Sequence, residues 1–87
     1  MYYAYILLLC DKNLYKGSTG DIKQRIKDHK EGRVKSTENK RPLKLIHLEC
    51  YLCKSDALRR EKFLKTTEGR RLLRQQIRDV LEKNKIQ

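Results

Sequence analysis

Apolar residues along the chain fall into runs of contrasting period. Residues 2–9, YYAYILLL, are continuously apolar and rich in Tyr, Ile and Leu, which reads as a buried strand. Asp11-Lys12-Asn13 is a turn signal, and Leu14 to Ser18 then reads as a second, antiparallel strand. Thr19-Gly20-Asp21 ends that strand and opens a helix. Asp21 is placed to cap it, with Gln24 completing a capping box. Ile22, Arg25, Ile26 and His29 recur at helical spacing and share one face, and Gly32 stops the helix. Residues 33–42 are polar and basic, ending in the single proline, Pro42, and read as an exposed loop. Leu43 to Leu52 alternates, with Ile46, Leu48, Cys50 and Leu52 pointing one way, as a third strand does. Ser55 is placed to cap a second helix from Asp56 to about Lys65, carrying Ala57, Leu58, Glu61, Leu64 and Lys65 on one face. Thr67 is placed to cap a third, from Glu68 to about Lys83, with Leu73, Ile77, Val80 and Leu81 inward. The predicted order is ββαβαα, an α+β fold in which helices flank a small three-stranded antiparallel sheet.

Composition narrows this picture. Eighty-seven residues suit one domain with a small core: 38% are hydrophobic, and the mean hydropathy is −0.86. No apolar run reaches the roughly 18 residues of a membrane helix, and the N-terminus lacks the features of a signal peptide, so a cytoplasmic location is expected. The three cysteines are an odd number, against a disulfide framework. Cys50 and Cys53 have C-x-x-C spacing without a second pair, so buried free thiols are expected rather than zinc. Twenty-two Lys and Arg against eleven Asp and Glu give a net charge of +11. Such a field attracts polyanions, nucleic acid first. The positive charge is spread along the chain and no helix pairs a basic face with a large aromatic one, so a membrane surface is a poorer partner.

Several residues could carry chemistry. Glu61 lies among Ala57, Leu58 and Leu64, where a carboxylate is costly unless it is paired, binds a metal or lines a cleft. The alternative is a stripe-edge glutamate paired with Arg60, Lys65 or another base. Arg25 and His29, four apart, can clamp a phosphate and move a proton; the alternative is an ordinary helix margin. Tyr5 and Tyr15 lie on strands that pair across the turn, and strand tyrosines mostly pack. Gly17 marks a bulge or a close backbone approach. Phosphate contacts are expected from Lys16, from Lys35, Lys40 and Arg41 around the central loop, and from Arg59, Arg60, Lys62, Lys65, Arg70 and Arg71 on the last helices.

Taken together these residues resemble the GIY-YIG nuclease superfamily, from about Tyr2 to Lys65. Tyr3-Ala4-Tyr5 matches its first motif and Tyr15-Lys16-Gly17 its second. Arg25-Ile26-Lys27-Asp28-His29 matches the helical R-x-x-x-H pattern, and Glu61 the glutamate. Size, charge and the Ser36-to-Pro42 segment are similar to the short stand-alone bacterial members. In place of a lysine that some members carry after the second motif's glycine stands Ser18. In the region of a downstream asparagine stands Leu73-Arg74-Gln75-Gln76. The resemblance implies a catalytic core over about 2–66 and a basic C-terminal helix over about 68–83. It implies a DNA endonuclease, serving repair, recombination or turnover, that uses one divalent cation, Mg²⁺ or Mn²⁺. Glu61 would ligate the metal. Tyr5 and Tyr15 would position or deprotonate the attacking water, Arg25 would stabilise the pentacovalent charge, and His29 would assist proton transfer. A bare domain covers few base pairs, so branched, nicked or single-stranded DNA is the expected substrate, with RNA also admissible, for a monomer or weak homodimer. Two other classes compete: a non-catalytic nucleic-acid-binding module on the same fold, and a small RNA-associated basic protein.

Overall fold

The computed structural model describes residues 1–85. Three strands, β1 (Tyr2–Leu8), β2 (Leu14–Thr19) and β3 (Lys44–Tyr51), form one antiparallel sheet in the order β2-β1-β3. Four helices follow the predicted order with the last one divided: α1 (Ile22–Lys30), α2 (Lys54–Leu64), α3 (Thr67–Gln76) and α4 (Arg78–Lys83). The central strand explains the unbroken apolar run, because both its faces are covered. Tyr5, Leu7 and Leu9 pack with Leu43, and Ile22 and Ile26 of α1 close that side. Ile6 packs on the other side with Leu64, Leu73 and Ile77 of the C-terminal helices. Each such fully buried aliphatic side chain stabilises the fold by about 1.5–3 kcal/mol.

The β1–β2 turn forms as its residues dictate. Lys12 takes a left-handed backbone (φ 71°), and the Asn13 amide donates to the Asp11 carboxylate at 3.0 Å. Asp21 caps α1 by accepting from the Gln24 amide at 3.1 Å. The Gln24 side chain reaches forward to Asp28 instead, so the capping box is only half made.

Several expectations are corrected. The loop over residues 33–42 is not wholly exposed: Val34 and Thr37 are buried. A bulge between Ile6 and Leu7 breaks the alternation of β3. Ile46 joins the Ile6 cluster, whereas Leu48 and Cys50 lie opposite Tyr5 and Tyr3 on the α1 side. There α1 covers only the β1–β2 half of the sheet, so Leu48 and Cys50 are exposed. Cys10 and Cys53 are exposed too, so the cysteines are free but not buried. Leu58 points outward, leaving Ala57 and Leu64 as the buried residues of α2. Cys53, not Ser55, precedes α2, and Thr66, not Thr67, caps α3, accepting from the Gly69 amide. The long third helix breaks at Ile77 (ψ 27°), a buried residue, and the break turns Val80 and Leu81 back onto the core. Among the described residues no helix is long and apolar enough to cross a membrane.

Candidate active site

Register sets the site. Tyr5 lies opposite Gly17, and Leu7 opposite Tyr15, so both tyrosines stand on the α1 face of the sheet. Their rings are 6.2 Å apart. Gly17 is needed for this: a Cβ there would sit 2.5 Å from Tyr5 Cζ and Oη. From α1, Arg25 Nε donates to the Tyr5 hydroxyl at 3.3 Å, and His29 Nε2 is 2.9 Å from the same oxygen. The His29 ring meets both phenol rings edge-on, its centroid 5.7 Å from Tyr5 and 5.0 Å from Tyr15.

The loop after α1 fixes the imidazole. Thr37 Oγ1 is 2.8 Å from His29 Nδ1 and itself donates to the Val34 carbonyl at 3.4 Å. With its hydrogen spent there, the Thr37 oxygen accepts from Nδ1–H. That leaves Nε2 as the acceptor for the Tyr5 hydroxyl. The bonds therefore run one way, Arg25 to Tyr5 to His29 to Thr37 to the Val34 carbonyl. Burial, and then the Arg25 charge, hold the His29 pKa below its ordinary value, so the ring is neutral near pH 7. Burial pushes the Tyr5 hydroxyl up to about 12 despite the Arg25 bond. Tyr5 is 1% exposed, whereas Tyr15 is half-buried.

Glu61 approaches from the opposite face. α2 packs on the Ile6 side, and Ser18, which pairs with Ala4 on that side, donates to Glu61 Oε1 at 2.5 Å. Lys65, one turn further along α2, donates to Oε2 at 2.7 Å. Burial alone would raise the carboxyl pKa, but Lys65 and Ser18 outweigh it and hold it below the usual glutamate value. The Arg25 charge acts on Glu61 as well as on Tyr5. The two halves thus meet around the outer edge of β2 at Gly17-Ser18. The result is an open edge rather than an enclosed pocket, a shape a polymer backbone can lie across.

Tyr5, Tyr15, Arg25 and His29 stand together on one face, and Glu61 faces them round the edge. Of the ten cations expected to bind nucleic acid, Lys40, Arg59, Arg60, Lys65 and Arg71 pair with Asp11, Asp56, Glu49, Glu61 and Glu68. Arg41 donates to the Glu38 and Lys30 carbonyls. Lys16, Lys35, Lys62 and Arg70 make no side-chain hydrogen bond or ion pair among the described residues. Two site residues escaped sequence reasoning. Ser18 stood out only as a departure from the family pattern. Thr37 had as its signal an isolated β-branched residue, three after Val34, in an otherwise polar segment. Gln76, in the region of the family's asparagine, turns away from this edge and accepts from Arg60 at 2.9 Å.

The donor set suits a hard, hydrated cation. Among the described residues no three His, Cys, Asp or Glu side chains converge. Glu61 is one ionised, partly exposed carboxylate, the kind of ligand through which a hydrated Mg²⁺ can be held, but Lys65 rests on its Oε2 and competes for that oxygen.

Comparison with known proteins places the family and agrees with this fold. Residues 1–74 match the family model of the GIY-YIG catalytic domain. A UPF0213 protein of Haloquadratum walsbyi is 35% identical over 82 residues, covering 91% of this chain and 92% of that one. A UPF0213 protein of Syntrophus aciditrophicus is 43% identical over 65 residues, covering 72% and 75%. The solution NMR structure of a UPF0213 protein from Bacillus halodurans superposes with a TM-score of 0.53 at 32% identity, covering 84% of this chain and 82% of that one.

Proposed function

The chain belongs to the GIY-YIG catalytic-domain family, and from that premise we propose that it is a metal-dependent DNA endonuclease. Its pathway would be repair, recombination or turnover. What carries the proposal is the one-way hydrogen-bond chain that runs from Arg25 through Tyr5 and neutral His29 to Thr37, set beside an ionised Glu61 on the same strand edge.

Glu61 would hold Mg²⁺ or Mn²⁺ once Lys65 moves aside, and the bound ion would polarise the phosphate and stabilise the leaving oxygen. The protein's own residues do the rest. Tyr15, the more accessible phenol, orients the attacking water. As the water loses its proton to the Tyr5 oxygen, Tyr5 passes its own to His29 Nε2, so no free phenolate forms. That concerted path matters because a phenol with a pKa of about 12 ionises poorly on its own. Arg25 keeps its remaining N–H groups for the charge that grows on the phosphate.

A second proposal rests on one contact. The Lys65 ammonium on Glu61 Oε2 neutralises the carboxylate from within, as a module that binds nucleic acid without cutting would require. Nicking of supercoiled plasmid and of a branched oligonucleotide, with Mg²⁺, Mn²⁺ or EDTA, separates the two. The endonuclease cuts only with metal, and Glu61→Gln abolishes turnover while binding survives. Binding without cutting in every condition, identical in the variant, overturns the enzyme and leaves the module.

A further inference from the structure

The cations of this protein divide into two populations. Arg33, Arg59, Arg60 and Arg71 each lie against a carboxylate of their own chain. Lys16, Arg70 and Arg74 do not: among the described residues none of the three side chains has a hydrogen bond or ion pair. Yet they lie close together. Lys16 sits opposite Ile6, on the side of the sheet where Ile6 packs with Leu73 of α3. Arg70 and Arg74 flank Leu73, four residues apart on the exposed side of α3, a like-charge spacing that weakens a helix. Lys16 is half-buried among them, and Lys65 adds a fourth positive charge. Burial and those three neighbours pull the Lys16 pKa down, so the cluster repels itself in the free protein. This is the arrangement of a site completed by an external anion.

Its place decides which anion. Lys16 and Ser18 lie on the same face of the same edge strand, about 7 Å apart at the usual rise per residue, and Ser18 holds Glu61. The cluster thus continues the catalytic edge without a break. Resting on the endonuclease proposal above, we propose that Lys16, Arg70 and Arg74 form a phosphate-tracking subsite. It holds the DNA strand one or two nucleotides from the scissile bond and directs it across α3. Phosphate contacts of this kind orient the strand and carry no base specificity.

The test is a charge-matched salt titration. Fluorescence anisotropy would follow a labelled single-stranded oligonucleotide binding to wild type, to Lys16→Ala/Arg70→Gln/Arg74→Gln and to Arg33→Gln/Arg59→Gln/Arg71→Gln. Each triple variant removes three charges. Losing three phosphate contacts lowers the slope of log Kd against log salt by about 2, so between about 50 and about 200 mM salt the wild type loses roughly sixteenfold more affinity than the subsite variant. The second triple variant should change the slope by well under one. Arg70→Gln/Arg74→Gln, confined to an exposed helix face, should lower it by about 1.4 and covers the case in which the triple variant melts. Equal slopes in the two triple variants, or no binding by wild type at low salt, overturn the subsite. Glu61→Gln, which frees Lys65, should leave the slope at least as steep as that of wild type in the same titration. A protein that binds with this slope yet never cuts therefore refutes the nuclease and not the subsite.

Discussion

Gly17→Ala should damage the fold and the site together. The added Cβ would stand 2.5 Å from Tyr5 Cζ and Oη and 2.9 Å from Cε1, where carbon atoms in contact normally stand about 3.5–4.0 Å apart. The ring must therefore move by about 1 Å. It has nowhere to go, since Tyr5 is 1% exposed and packed among Leu7, Leu43, Tyr15 and Ile22. Overpacking of this kind costs about 1–3 kcal/mol. The 2.9 Å bond to His29 cannot survive the shift, adding about 1 kcal/mol. The stiffer unfolded chain returns about 0.5 kcal/mol. A net loss of about 2–3 kcal/mol lowers the Tm of a domain this size by roughly 10–20 °C. Thermal unfolding followed by circular dichroism measures that, and NMR of the His29 ring nitrogens reports the broken bond. Against Tyr5→Leu as background the Gly17→Ala penalty should largely vanish. A melting point within about 3 °C of wild type, an unchanged His29 signal, or additivity in the double variant would refute the close approach as the reason for glycine.

Other outcomes follow from the same contacts. Thr37→Val strands the buried His29 Nδ1–H at a cost of about 1–3 kcal/mol that Thr37→Ser restores, measured by urea unfolding. Because the His29 pKa is lowered in the folded state, that residue's contribution is fully present above the unfolded value of about 6.5 and declines as pH falls below it; His29→Gln removes that part of the pH dependence. Gly69→Ala sets a Cβ 1.8 Å from the Phe63 carbonyl oxygen, a backbone atom that cannot rotate away, so the α2–α3 corner must open and a loss above about 4 kcal/mol is expected in calorimetry. Glu49 accepts from Tyr51 at 2.7 Å and from Arg60 at 2.9 Å, and pairs with His47 at 2.9 Å. Burial alone would raise its pKa, but Arg60, Tyr51 and His47 together lower it to about 2. Glu49→Gln should cost about 3 kcal/mol, and the wild-type advantage should fade as pH drops from about 4 toward 2, by acid unfolding of both proteins.

The order of elements, the turn at Lys12, the cap at Asp21 and the shared face of Ile22, Arg25, Ile26 and His29 were all legible, because each rests on local pattern or spacing. What escaped depends on contacts between distant segments. Thr37 is one hydroxyl in a basic loop until the fold lays it beneath His29. The β3 bulge moves Ile46 off the face that alternation assigns to Leu48 and Cys50. Those two stay exposed because α1, nine residues long, covers only part of the sheet. The break at Ile77 has no proline or glycine to announce it. Only the position of Leu64 and Ile6 makes the turn inward worthwhile. Charge was legible as a total but not as a distribution, since pairing decides which cations remain available to a ligand.

Burial divides the proposed catalytic set by what its loss would reveal. Tyr5 and His29 are core residues, and a relative without nuclease chemistry would still need them to stay folded. Glu61 is different: it sits at a partly exposed margin, and its pairing with Lys65 stabilises the fold by no more than about 1 kcal/mol. A lineage could discard that carboxylate with little structural penalty. Retention of Tyr5 and His29 in a relative therefore testifies to foldability, whereas retention of the glutamate is the better marker of whether selection maintains the proposed chemistry.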